Sequence, residues 1–163
     1  METNRLLLIP IDVEIIDALN ESNKSFYVKY GYKNEGGEYL NPSPNYLHKI
    51  KSRLLDHPEE YPLAVDYLII VKDIKTVIGT IYYKYLPQDG VSEIGYGMNP
   101  KFEGNGYMSE ALTKMLEFGK ENGIKIVKAD TLKTNIKSQN VLYRSGFLLE
   151  KREEELMYFI KIL

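Results

Sequence analysis

Residues 93–112, EIGYGMNPKFEGNGYMSEAL, hold the groups of this 163-residue chain best arranged for chemistry. The first seven residues read as a short strand, which Asn99-Pro100 breaks. Gly104-Asn105-Gly106 then supplies a loop that no bulky residue could form, and a helix opens at about Tyr107. Backbone N–H groups in a strand–glycine–helix turn lack partners of their own, and the helix dipole adds partial positive charge. Such a turn is an anion site made of backbone, suited to a pyrophosphate and so to a nucleotide-bearing cofactor. A tight turn followed by a helix cap is the other reading of Gly-x-Gly. Three nucleotide motifs do not fit. A Walker loop needs Lys-Ser or Lys-Thr where Tyr107-Met108 stands, a dinucleotide fingerprint needs a third glycine after the first strand of a βαβ unit, and a kinase glycine loop needs a much longer chain.

Composition narrows the classes further. Charged residues make up 27% and the formal net charge is -2, so no general field draws nucleic acid or an anionic membrane. No apolar run approaches the roughly 20 residues of a membrane span. The N-terminal METNR has no signal-peptide profile, which makes the cytoplasm the expected compartment. The absence of cysteine removes disulfides, thiolate metal sites and a cysteine nucleophile. His48 and His57, far from any carboxylate cluster, read as surface residues of a helix and its end, so no metal site is expected.

The elements that must position the glycine loop follow from periodicity. Residues 5–9 read as a strand ended by Pro10. From Asp12, a plausible cap by its residue type, Ile15, Ile16, Leu19 and Phe26 are spaced for a helix. Residues 31–44 read as a loop. Pro44 opens a second helix with Leu47, Ile50, Leu54 and Leu55, ended by His57-Pro58. Residues 64–71 and 76–85 read as a hairpin, the strand at Glu93 follows, and a helix runs over about 105–121 until Asn122-Gly123 stops it. A strand over 126–132, a short helix over 138–144 closed by Gly146, and strands over 147–163 complete an order βαα-βββ-αβ-αββ. This is one α+β domain spanning 1–163.

At this point the residues resemble a known family, the GCN5-related N-acetyltransferases, and in particular their ribosomal-protein N-terminal acetyltransferase-like branch. The first element is Asn99-Pro100 with Glu103, Gly104, Asn105, Gly106, Tyr107 and Met108, similar to the family's Gln/Arg-x-x-Gly-x-Gly/Ala signature. The second is Asn135 and Ser138 followed by Gly146-Phe147, similar to its Asn-x-x-Ser…Gly-Phe segment. The opening Arg5 to Pro10 and the element order match as well, so the likeness covers nearly the full length. Glu103 replaces the usual Gln or Arg, and Met108 replaces a small residue. The resemblance implies a twisted, mostly antiparallel mixed sheet of six to seven strands, flanked by about four helices and splayed between strands four and five.

It also implies acetyl-CoA as cosubstrate, lying in that splay. Backbone groups at Met98 and Asn99 would hold the acetyl-pantetheine arm, N–H groups from Glu103 to Met108 the pyrophosphate, and the Asn135 side chain would contact the cofactor. The Met98 N–H is the natural oxyanion donor. Glu93 is the candidate general base, directly or through a water. It shares a strand face with Gly95 and Gly97, which leave room beside the carboxylate for a substrate. An ordinary solvated strand-end glutamate is the competing reading. The family's usual proton-donating tyrosine falls at Leu142. Tyr143 lies about 100° further around the helix, so the donor is Ser138, Tyr143 or solvent. Ser138 also reads as an N-cap. Glu150 and the 153–155 glutamate run read as a solvated face.

Tyr27, Tyr30, Tyr32, Tyr39 and Tyr46 crowd a segment that the resemblance makes one wall of the acceptor site. The acceptor is then a primary amine, either a protein N-terminus or a small molecule. The rival is a module of the same fold that binds acyl-CoA as a sensor and transfers nothing. The oligomeric state stays open, a dimer through the C-terminal hairpin included.

Overall fold

A computed structural model of the chain describes residues 1–33 and 43–163. The expected 31–44 loop, with Tyr39, lies largely outside the described residues. Strand β1 (Leu6–Pro10) leads into α1 (Val13–Glu21), whose N–H of Ile15 is taken by the Asp12 carboxylate at 2.8 Å. The helix expected to run on through Phe26 is in fact two. Ser22 is extended (φ −175°, ψ 152°) and closes α1, while its hydroxyl accepts from the Ser25 N–H at 2.9 Å and caps α2 (Asn23–Tyr30). Helix α3 (Pro44–Asp56) starts as read, with Ser43 as cap and Pro44 in the first turn.

The sheet follows in β2 (Tyr67–Val71), β3 (Thr76–Tyr83) and β4 (Val91–Met98). Strand β2 begins later than residue 64 because the Ala64 N–H bonds back to the Glu60 carbonyl in a turn. All of β2 is buried, as a strand covered on both faces must be. Helix α4 (Tyr107–Glu121) buries Met108, Ala111, Leu112, Met115, Leu116 and Gly119, a stripe at helical spacing, and packs on β1 and β3. Phe118, expected inward, is half-buried against the Tyr67 ring. Then come β5 (Ile126–Leu132), α5 (Ile136–Arg144), β6 (Leu148–Arg152) and β7 (Leu156–Ile162). His48 and His57 are exposed, the latter closing α3. Among the described residues no helix is long and apolar enough to cross a membrane.

The strand order is β1-β2-β3-β4-β5-β7-β6, antiparallel except for the pair β4–β5. That parallel pairing covers only Val91↔Ile126, Ser92↔Val127 and Glu93↔Lys128. Beyond it β4 stays with β3 as far as Gly79↔Met98, and β5 stays with β7 as far as Leu132↔Leu156. Each strand keeps its outer partner and loses its inner one, so the sheet splits from Ile94 onward. The sheet is α+β, mixed and splayed between its fourth and fifth strands, as the resemblance implied.

Candidate functional site

The split exposes a specific set of backbone groups. The Lys84 N–H donates to the Glu93 carbonyl (2.7 Å) and the Asn99 N–H to the Ile78 carbonyl (2.8 Å), so the odd-numbered residues of β4 bond toward β3. Backbone polarity alternates along an antiparallel strand. Tyr96 and Met98 therefore turn their N–H and C=O toward the missing partner, into the opening. A cleft of about 650 Å³ lies there, bounded by Tyr96 and Met98, the loop entering α4, and Asn135 and Ser138 on α5.

The loop is shaped for an anion. Gly104 (φ +80°) and Gly106 (φ +77°) adopt the left-handed conformation that side chains resist. The Asn105 amide donates to the carbonyls of Phe102 (3.1 Å) and Glu103 (3.2 Å). No side chain caps α4. The N–H groups of Gly104, Asn105, Gly106, Tyr107 and Met108 find no acceptor among the described residues. Orphan donors at a helix N-terminus, beside an open cleft, fit a pyrophosphate.

The residues singled out in the sequence separate into two groups. Met98, Glu103, Gly104, Gly106, Tyr107, Met108, Asn135 and Ser138 all border the cleft. Glu103 is ion-paired with Lys137 of α5, which offsets its charge beside the anion site. Met108 is buried in the core beneath the loop. Asn99 and Asn105 do not border the cleft. The N–H of Asn99 goes to Ile78, its carbonyl accepts from Phe102, and its side chain caps the short helical turn at Pro100–Phe102. Asn99 therefore shapes the turn out of β4, its N–H being on the β3 side of the strand. Ser138 is not the helix cap either. Asn135 caps α5, its Oδ1 accepting from the Ser138 N–H at 3.0 Å, which frees the Ser138 hydroxyl to face the opening. Tyr143 does not border the cleft. Its ring is edge-on to Phe159 at 5.2 Å on the other side of the helix. Leu142 is fully buried.

The Ser138 hydroxyl meets a partner that sequence reasoning missed. Tyr96 Oη lies 3.0 Å from Ser138 Oγ, across the split. Burial pushes the Tyr96 phenol up to about 12, against the opposing effect of that hydrogen bond. Its signal was present: a large side chain between Gly95 and Gly97, on the strand face opposite Glu93.

Glu93 sits at the last residue of β4 that pairs with β5, away from the cleft lining. Lys84 Nζ contacts both Glu93 Oε1 and Asp130 Oδ1, so the ammonium spans β4 and β5 at the root of the split. Burial raises the Glu93 carboxyl above its usual range, and a hydrogen bond with Asp130 raises it further, while Lys84 opposes both. Asp130 is lowered, chiefly by the same hydrogen bond and then by Lys84. The expected room beside Glu93 is half present. A Cβ on Gly95 would lie 2.7 Å from the Tyr82 ring, whereas one on Gly97 would meet nothing within 4 Å.

Of the tyrosines read as an acceptor wall, Tyr27, Tyr30 and Tyr32 gather around Phe26, with ring centroids 5.1, 5.1 and 6.3 Å away. Tyr46 instead donates to Asp66 at 2.7 Å.

A sheet split at one parallel pair, with a backbone anion site at its opening, defines an acyltransferase fold of the kind the sequence resembled. The chain belongs to the acetyltransferase (GNAT) domain family, whose model matches residues 5–148, and it is an acetyltransferase of that family. It is 25% identical to the uncharacterized N-acetyltransferase YjdG of Bacillus subtilis, over 99% of this chain and 97% of that protein. Ribosomal-protein-S5-alanine acetyltransferase from Vibrio fischeri shares the fold, with a TM-score of 0.72 and 18% identity over 99% of this chain and 95% of that one. RimL, the ribosomal L7/L12 α-N-protein acetyltransferase, solved in complex with coenzyme A, gives a TM-score of 0.71 and 20% identity over 99% and 96%.

Proposed function

We propose that the protein acts as one acyl-CoA N-acyltransferase domain over residues 1–163, moving an acetyl group from acetyl-CoA to a primary amine by direct attack with both bound together. The observation that carries this reading is the split between β4 and β5, with the backbone of Tyr96 and Met98 turned into it. Residues on opposite faces of an intact sheet cannot serve one reaction. At a split they can, because both faces open onto the same gap. Glu93 approaches from one face, and Tyr96 with Ser138 from the other.

Acetyl-CoA supplies an activated acyl thioester. The N–H groups from Gly104 to Met108 hold its pyrophosphate, and Asn135 borders the same cleft. The Met98 N–H donates to the thioester carbonyl oxygen, where negative charge develops. Glu93, once deprotonated, takes the proton that the acceptor ammonium must lose before its nitrogen is nucleophilic. Ser138 Oγ donates toward the sulfur, with Tyr96 Oη refilling it. The acceptor approaches over Gly97, where the space is open. The acceptor is a protein N-terminus or a small-molecule amine, since similarly folded neighbours include both ribosomal-protein acetyltransferases and a spermidine N-acetyltransferase.

Calorimetry with coenzyme A and thiol release from acetyl-CoA over a panel of N-terminal peptides and small amines test the proposal. Binding plus amine-dependent thiol release is expected. Binding without turnover on any amine would favour the acyl-CoA sensor, and failure to bind coenzyme A would remove the cofactor reading altogether.

A further inference from the structure

Arg5, part of the opening segment that resembled the family, takes no part in the chemistry above. Its side chain nonetheless bonds to the glycine loop and to α4. Its Nη1 donates to the Asn105 carbonyl at 3.0 Å, its Nε to Glu110 Oε2 at 2.7 Å, and its backbone N–H to Glu110 Oε1 at 2.9 Å. The guanidinium carbon stands 4.6 Å from the centroid of the Tyr107 ring. Thr3 Oγ1 completes the arrangement, donating to Glu110 Oε1 at 2.6 Å. Leu6, the next residue, is fully buried in β1, so this bracket is anchored on the sheet.

We propose that Arg5 is a positioning residue of the cofactor site, holding the loop from behind so that its N–H groups face the cleft. The carbonyls of the loop are nearly all held on its outer side. Those of Phe102 and Glu103 are held by the Asn105 amide, that of Gly106 by the Glu110 N–H (3.1 Å), and that of Asn105 by Arg5. A peptide unit whose C=O is held on the outside presents the following N–H to the inside. Of the four, only the Asn105–Gly106 peptide depends on a side chain from a distant element, and Gly106 is the residue just before α4. Gly106 on its C-terminal side lets that peptide rotate once the hold is lost. Arg5 also offsets the Glu110 carboxylate, which would otherwise oppose an anion at the same helix end. Burial works to raise Glu110, yet Thr3 and Arg5 keep it below its usual range.

This inference rests on the acetyl-CoA reading, and its test separates the two. Calorimetry compares coenzyme A with pantetheine, which carries the thiol arm and no pyrophosphate. Arg5→Ala is expected to weaken coenzyme A at least tenfold and to leave pantetheine within twofold. Arg5→Lys keeps the charge but cannot reach Asn105 and Glu110 together, so it regains less than half of the loss on a logarithmic scale. Glu110→Gln, which leaves the Asn105 contact in place, shows a smaller selective loss. If Arg5→Ala fails to fold, Arg5→Lys and Glu110→Gln report the same ligand ratio, with a thermal melt to confirm folding. Equal weakening of both ligands, or no weakening of either, overturns the role of Arg5. A wild-type protein that ignores coenzyme A defeats the acetyl-CoA reading itself.

Discussion

Tyr96 Oη and Ser138 Oγ lie 3.0 Å apart, joining a strand on one side of the split to a helix on the other. In the proposed mechanism the two hydroxyls make a proton path that ends in the cleft, with the phenol behind the serine. Ser138→Ala is therefore expected to lower kcat by about 100-fold, within the range for a positioned acid, with the KM for acetyl-CoA within threefold. Tyr96→Phe should cost about tenfold on the same basis. The double variant should be no slower than Ser138→Ala, since the two act as one unit. Steady-state thiol release checks this, and full activity in Ser138→Ala would leave protonation to solvent.

The coupling of Glu93 to Asp130 and Lys84 predicts a pH profile. Glu93 must be deprotonated to act, and its carboxyl lies above the ordinary range, so kcat/KM should rise with pH through that raised value. Asp130 raises it, so Asp130→Asn moves the acidic limb to lower pH. Lys84 lowers it, so Lys84→Met moves the limb to higher pH. Glu93→Gln should lose about 100-fold or more in kcat/KM. With one acceptor amine held fixed across the series, an acidic limb that stays put in both Asp130→Asn and Lys84→Met removes Glu93 from the mechanism.

Gly95 and Gly97 are adjacent on one face but should respond differently. Gly97→Val sets its Cβ where nothing lies within 4 Å, at a position without positive φ, so the melting temperature should hold within about 2 °C, since small surface changes stay within roughly 0.5 kcal/mol. The acceptor KM should rise about tenfold or more, in line with roughly 1.4 kcal/mol of lost access. Gly95→Ala must displace the Tyr82 ring and should destabilise by about 1–3 kcal/mol. Unchanged acceptor kinetics in Gly97→Val would place the amine elsewhere.

Leu142 occupies the place where the family's tyrosine is usual, yet its side chain is fully buried. Leu142→Ala should cost about 2–5 kcal/mol by leaving a cavity. Leu142→Tyr should cost about 1–3 kcal/mol by overpacking, with no gain in kcat. A faster Leu142→Tyr enzyme would show that the phenol escapes into the cleft.

Local signals carried most of the fold. The spacing of Met108, Ala111, Leu112, Met115 and Leu116 defined α4, and Asp12 and Pro44 marked helix starts that the structure keeps. The errors also have local causes. The break at Ser22 was hidden because Phe26 sits in phase with Leu19, so periodicity bridged a serine whose preference for capping won. Ser138 reads equally as a donor or an N-cap from its place at a helix start, and the structure gives the cap to Asn135. That Asn99 turns its N–H toward β3 depends on which neighbour β4 keeps, and no local signal carries that.

The sequence by itself determined the glycine loop between β4 and α4. Glycine at 104 and 106 and a helix start directly after them are properties of a few consecutive residues. Only the tertiary structure decided what surrounds that loop. Lys84, Glu93 and Asp130 meet because β3, β4 and β5 are neighbours in the sheet, and Tyr96 reaches Ser138 because pairing of β4 with β5 stops at Glu93. Arg5 reaches the loop from a segment 100 residues earlier. Contacts of that kind are set by sheet order and by where pairing ends, and no stretch of neighbouring residues carries that information.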